Sequence, residues 1–72
     1  MARHREQVNV ERQRDRIVSA ATNVIARDGL QATRLRQVAI EAGLSTGSIL
    51  YYFGGFDEVL VAAVHAVGAE YC

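Results

Sequence analysis

Gly43-Leu44-Ser45-Thr46-Gly47 has the G-x-S-x-G spacing of a nucleophile elbow, in which a serine on a strained strand-to-helix turn attacks an acyl carbon. That chemistry also needs a buried strand before the serine, a histidine and an acid after it, and a large sheet to hold them together. Here the residues before Gly43 repeat with helical period, and the one histidine downstream, His65, lies deep in an apolar helical stretch. A chain of 72 residues leaves no room for the sheet, so the string is not a catalytic serine and no enzyme is expected. His4, His65 and Cys72 lack any zinc-ligand spacing, so neither a metal nor another cofactor is expected.

The same stretch reads better as a surface for a polyanion. Ser45, Thr46, Gly47, Ser48, Leu50 and Tyr51 fall on the exposed N-terminal end or the outer side of a short helix. Short hydroxyls and an aromatic hydroxyl placed so suit phosphate and base-edge contact. Gly47 in the first turn lets the backbone approach DNA closely, or else simply weakens the helix by about 1 kcal/mol. Thr33 and Ser45 read first as helix caps, and a capped N-terminus aimed at phosphate serves both purposes. Arg34, at the start of the preceding helix, is placed for phosphate, with plain solvation as the alternative. Tyr52 falls at the inward period and reads as core at the edge of this set.

The formal net charge is zero, which removes the bulk signature of a nucleic-acid binder but hides the distribution. All eight basic residues are arginines at or before Arg36, opposed there by Glu6, Glu11, Asp15 and Asp28, a net charge of +4. From Gln37 onward Glu41, Asp57, Glu58 and Glu70 make the net charge −4, with His65 the one basic side chain. The molecule therefore has a basic end and an acidic end. A single cysteine makes no internal disulfide, and the N-terminus has charge but no apolar core, so neither a signal peptide nor a membrane span is read. A reducing, cytoplasmic setting is expected.

Periodicity supplies the elements that must position these residues, and it predicts an all-α chain. Residues 1–11 are polar and arginine-rich and read as a mobile arm or frayed first turn. Arg3, Arg5, Arg12, Arg14 and Arg16 then belong to a solvated tail, with phosphate or the minor groove as the alternative. From Arg12, a first helix has Ile17, Ala20, Ala21, Val24 and Ile25 on one face and ends at Arg27-Asp28-Gly29. Thr33 caps a second helix of about Arg34–Ala42, with Leu35, Val38, Ala39 and Ala42 buried. Gly43 supplies a left-handed turn residue, Leu44 plugs the corner, and Ser45 caps a third helix of about Thr46–Phe53.

Two helices joined by so short a glycine-containing turn form a helix-turn-helix. In the third helix, Ile49 with Tyr52 or Phe53 faces back onto the first. Gly54 and Gly55 break the chain, and a fourth helix runs from about Phe56 to the end, with Asp57 and Glu58 in the first turn where the helix dipole favours them. The domain boundaries are thus an arm at 1–11, a three-helix homeodomain-like unit at 12–55 and a connecting helix at 56–72. From Val59 to Val67 that helix has almost no polar face, which predicts a longer protein or an obligate oligomer.

The string Thr33 to Leu60, TRLRQVAIEAGLSTGSILYYFGGFDEVL, resembles the DNA-binding domain of the TetR family of bacterial transcription regulators, and the likeness extends back through helix one. The matching residues are Gly43, Leu44, Ser45, Gly47, Ser48, Ile49, Tyr51, Tyr52, Phe53, Asp57 and Leu60. Three positions depart from the family pattern: Thr46 stands where lysine is frequent, Leu50 where tyrosine is usual, and Phe56 where lysine often touches the DNA backbone. Loss of two cations lowers nonspecific affinity and flattens its salt dependence.

The resemblance implies that Arg36 reaches a base edge, where its planar fork suits guanine O6 and N7; a solvated surface arginine is the alternative. It also implies duplex DNA as partner, a homodimer formed through a C-terminal domain beyond this chain, a small-molecule inducer bound by that domain, and repression as the common outcome. A different reading makes the chain a helical protein-interaction module that joins a partner through its fourth helix without specific DNA binding.

Overall fold

The computed structural model describes the backbone of residues 2–71 and the side chains of residues 9–67. The side chains of Arg3 and Arg5 in the arm, and Cys72, lie outside the described residues. Four helices follow one another: α1 (Ala2–Asp28), α2 (Leu35–Ala42), α3 (Thr46–Phe53) and α4 (Phe56–Tyr71).

Helix α1 begins at Ala2, ten residues before the start that apolar periodicity assigns, so the stretch read as a mobile arm is helical. The periodicity marks where the helix has a core to cover, and nothing before that point stops it. Residues 2–16 contain no glycine or proline and are rich in arginine, glutamate and glutamine, which lose little on entering a helix. At the other end Gly29, with φ 89°, closes the helix through its N–H to the Ile25 carbonyl (2.8 Å).

The core is one cluster to which every helix contributes. Ile17, Ala20, Ala21 and Val24 of α1 meet Val38, Ala39 and Ala42 of α2, Ile49 and Phe53 of α3, and Val59 and Ala63 of α4, all buried. Leu35, Leu44, Tyr52 and Phe56 pack on its margin half-buried. The alternative left open in α3 is thereby resolved: Phe53 goes inside with Ile49, and Tyr52 stays at the edge. Alanines at Ala20, Ala21, Ala39, Ala42 and Ala63 let the short helices lie close to α1, where bulkier side chains would force them apart.

Thr33 does not cap α2. It is 4 % exposed, and its hydroxyl donates to the Gly29 carbonyl at 2.8 Å, closing the α1–α2 link onto the end of α1. The N-cap is Arg34, with extended backbone (φ −120°, ψ 150°), and its N–H donates to Oε1 of Gln37 at 3.3 Å. An arginine side chain has no acceptor, so the cap is made by Gln37 reaching back from the first turn. Ser45 caps α3 as its sequence position predicts, and Gly43 takes φ 72°, a conformation that costs an L side chain about 1–2 kcal/mol. Its N–H donates to the Ile40 carbonyl and the Leu44 N–H to the Ala39 carbonyl, so the turn satisfies two of the carbonyls that α2 leaves open.

Candidate nucleic-acid interface

The packing of α3 divides its residues cleanly. Ile49 and Phe53 point inward, while Thr46, Gly47, Leu50 and Tyr51 are exposed. Leu50 is 40 % exposed, and Tyr51, at 81 %, is the most exposed large hydrophobic side chain among the described residues. The Tyr51 ring leans on Tyr52 edge to face, with centroids 5.2 Å apart and planes at 80°. Half-buried Tyr52 thus holds the ring of Tyr51 while leaving its outer end free.

At the N-terminus of α3, the Ser45 hydroxyl accepts from the Ser48 N–H at 3.1 Å and donates to Ser48 Oγ at 3.0 Å. This pair orders the first turn and uses the Ser45 hydroxyl as both acceptor and donor within the protein. The G-x-S-x-G string is therefore a helix-to-helix turn and not an elbow after a strand. Gly47 has no such internal reason: a Cβ there would meet nothing closer than Ser45 Oγ at 3.9 Å, an ordinary contact.

Of the residues that the sequence assigns to this surface, Thr33 is the one set behind it, buried and bonded to Gly29. Arg34 and Arg36 are exposed at the start of α2. Among the described residues, the arginine that forms ion pairs is Arg27, whose Nε lies 3.4 Å from Asp28 Oδ1 and whose Nη1 lies 3.3 Å from Glu41 Oε1, tying the end of α1 to α2. Asp28, and to a lesser degree Glu41, raises the pKa of that guanidinium. Arg12, Arg14, Arg16, Arg34 and Arg36 are exposed with no carboxylate in ion-pair reach among the described residues. Two of these make contacts that periodicity does not reveal. The Arg14 guanidinium lies over the Phe53 ring, 4.7 Å from its centroid, and Arg16 reaches the α2–α3 turn, with Nη2 3.1 Å from where a Cβ on Gly43 would be. The sequence signal for both is the charge run in the first half, which does not say where the side chains go.

The helix-turn-helix with a bare outer face on its second helix is matched in sequence by the family described as bacterial regulatory proteins, tetR family, over residues 17–63. The chain belongs to the TetR family. The matched part, from Ile17 on α1 to Ala63 on α4, is the family's N-terminal DNA-binding domain. Among curated TetR-type relatives, the HTH-type transcriptional regulator HbdR of Aromatoleum sp. (strain CIB) is 45 % identical over 51 residues, covering 71 % of this chain and 22 % of the relative. The regulator PksA of Bacillus subtilis (strain 168) is 37 % identical over 62 residues, 86 % of this chain and 30 % of its own. BetI of Vibrio campbellii (strain ATCC BAA-1116) is 44 % identical over 50 residues, 69 % and 25 % respectively. The matches thus span between about a fifth and a third of each TetR-type relative's length. No solved structure matches the chain.

Proposed function

We propose that this TetR-family domain reads a specific duplex DNA sequence by placing α3 in the major groove. The observation that carries the reading is the outer face of α3: Thr46, Gly47, Leu50 and Tyr51 are exposed on a helix whose other side is locked into the core, beside the exposed Arg34 and Arg36 at the start of α2. In such docking the N-terminal residues of the second helix meet base edges while the first helix crosses the backbone. Arg36 then reaches a guanine edge, Arg34 and Tyr51 hold phosphates, and Leu50 offers an apolar contact to a thymine methyl. Ser45 and Ser48 order the first turn, and Gly47 lets it come close. Tyr52 acts by holding Tyr51.

The wider proposal follows the relatives, which are named transcriptional regulators and are longer than this chain. Two copies joined by a part of the protein beyond these residues read the halves of a palindrome in the cytoplasm. A small molecule bound by that part releases the DNA, and the outcome is repression.

Two substitutions separate base reading from phosphate contact. Arg36→Ala is expected to cost about 1–3 kcal/mol of DNA binding and to relax preference at one base pair, whereas Tyr51→Phe weakens all sequences alike. Fluorescence anisotropy on a panel of duplexes measures both. The reading of the chain as a protein-interaction module draws on Val61 and Val64, 55 % and 50 % exposed on α4. On that reading, polar substitution at either valine disrupts partner binding and Arg36→Ala does not.

A further inference from the structure

Helix α3 contains no basic residue, and neither does α4 before His65, so the element proposed to enter the groove brings no cation of its own to a polyanion. The arginines beside α3 come from α1: Arg14 touches the last residue of the helix and Arg16 the turn before it. Arg16 lies against Gly43, two residues before the Ser45 N-cap, and Arg14 lies over Phe53, the last residue of the helix. Both are exposed, and neither has a carboxylate in ion-pair reach among the described residues. The groups that oppose Arg14 are Asp57 and Glu58, which share the shallow cleft between α1, Phe53 and α4 but stand off from the guanidinium.

Resting on the DNA reading above, we propose that Arg14 and Arg16 are phosphate-binding residues, so that α1 supplies the backbone charge that the recognition helix lacks. An eight-residue helix is about 12 Å long, and the major groove is about 12 Å wide. On a scale so closely matched, Arg14 beside the last residue of α3 and Arg16 beside the turn before it are the cations left to meet the phosphates that flank the groove. The Arg14 guanidinium is held by the Phe53 ring, and that of Arg16 lies beside the glycine turn. Stacking on Phe53 leaves the edge of the Arg14 fork open to phosphate oxygens.

The test is the salt dependence of binding to random-sequence duplex DNA, which counts phosphates neutralised at about 0.9 in slope for each one. Three proteins are titrated: the chain itself, Arg14→Gln with Arg16→Gln, and Arg14→Lys with Arg16→Lys. The glutamine pair is expected to lower the slope of log K against log salt by about 1.8. The lysine pair restores the slope, and the sequence preference of all three is the same. Circular dichroism melting checks that each variant is folded; should the glutamine pair melt early, Arg16→Gln alone, which leaves the Phe53 contact in place, is expected to lower the slope by about 0.9. A folded glutamine variant that binds with the slope of the unaltered chain overturns the inference and leaves the DNA reading intact. So does a folded lysine pair that keeps the reduced slope, because the contribution would then be packing and not charge. An unaltered chain with no salt-dependent binding overturns the DNA reading itself.

Discussion

Gly47 separates the demands of folding from those of binding. A glycine inside a helix costs up to about 1 kcal/mol relative to alanine, and this one has open space where a Cβ would go. Gly47→Ala is therefore expected to raise stability by up to about 1 kcal/mol in chemical denaturation. The same change weakens DNA binding, because the added methyl stands on the exposed face that must approach the groove. Improved stability with unchanged affinity would remove Gly47 from the interface. At this scale the sequence was partly legible. Ser45, Gly43 and, of the outward set, Thr46, Gly47, Leu50 and Tyr51 are where their types and spacing put them, whereas Ser48 is half-buried against Ser45. Thr33 is not, because the helix begins one residue later than a threonine cap requires and Gln37 caps it from within, which turns the threonine inward. Side-chain oxygen on either side of a helix start gives the same local signal, and tertiary burial chooses between them.

The elements hold together through a few inward residues on very short helices. Isolated eight-residue helices are marginal in water, so α2 exists because α1 and α3 cover its apolar side, and α3 because α1, α2 and α4 do. Ile49, fully buried, is the main anchor of α3. Ile49→Ala is expected to cost about 2–5 kcal/mol, a large share of the stability of a small domain, and to abolish DNA binding with loss of the cooperative melt. Gly43→Ala tests the turn: its left-handed backbone costs about 1–2 kcal/mol with alanine, which thermal melting detects. A smaller loss would mean that the turn relaxes into another conformation.

Helix existence, order and the ends at Gly29, Gly43 and Gly54 follow from apolar period and glycine placement. The start of α1 does not, because a helix with no core to cover leaves no periodic signal even where the chain favours it. The placements of Arg14 and Arg16 are equally silent in sequence, since long side chains on one helix reach neighbours that only the assembled fold defines.

Across the whole molecule, the balance of eight acids and eight arginines conceals a separation along the chain. The arginines lie on α1 and the start of α2, while the acids of the second half lie on α2 and α4. On the proposed reading the arginine-bearing part attracts DNA through a local field despite zero net charge, and binding is expected to fall with salt. The apolar side of α4 at Val61 and Val64, with Leu30, Leu60 and His65 beside it, is the part of the surface that this account does not assign to DNA. Its polar substitution is accordingly expected to leave DNA affinity unchanged.

The most direct measurement is selection of bound duplexes from a random pool, performed with the 72-residue chain fused to a dimerising coiled coil and with the same fusion carrying Arg36→Ala and Tyr51→Glu. The account predicts enrichment of a palindromic motif by the first protein and none by the second. A folded fusion that binds DNA without sequence preference, or enriches the same motif after both substitutions, would contradict it.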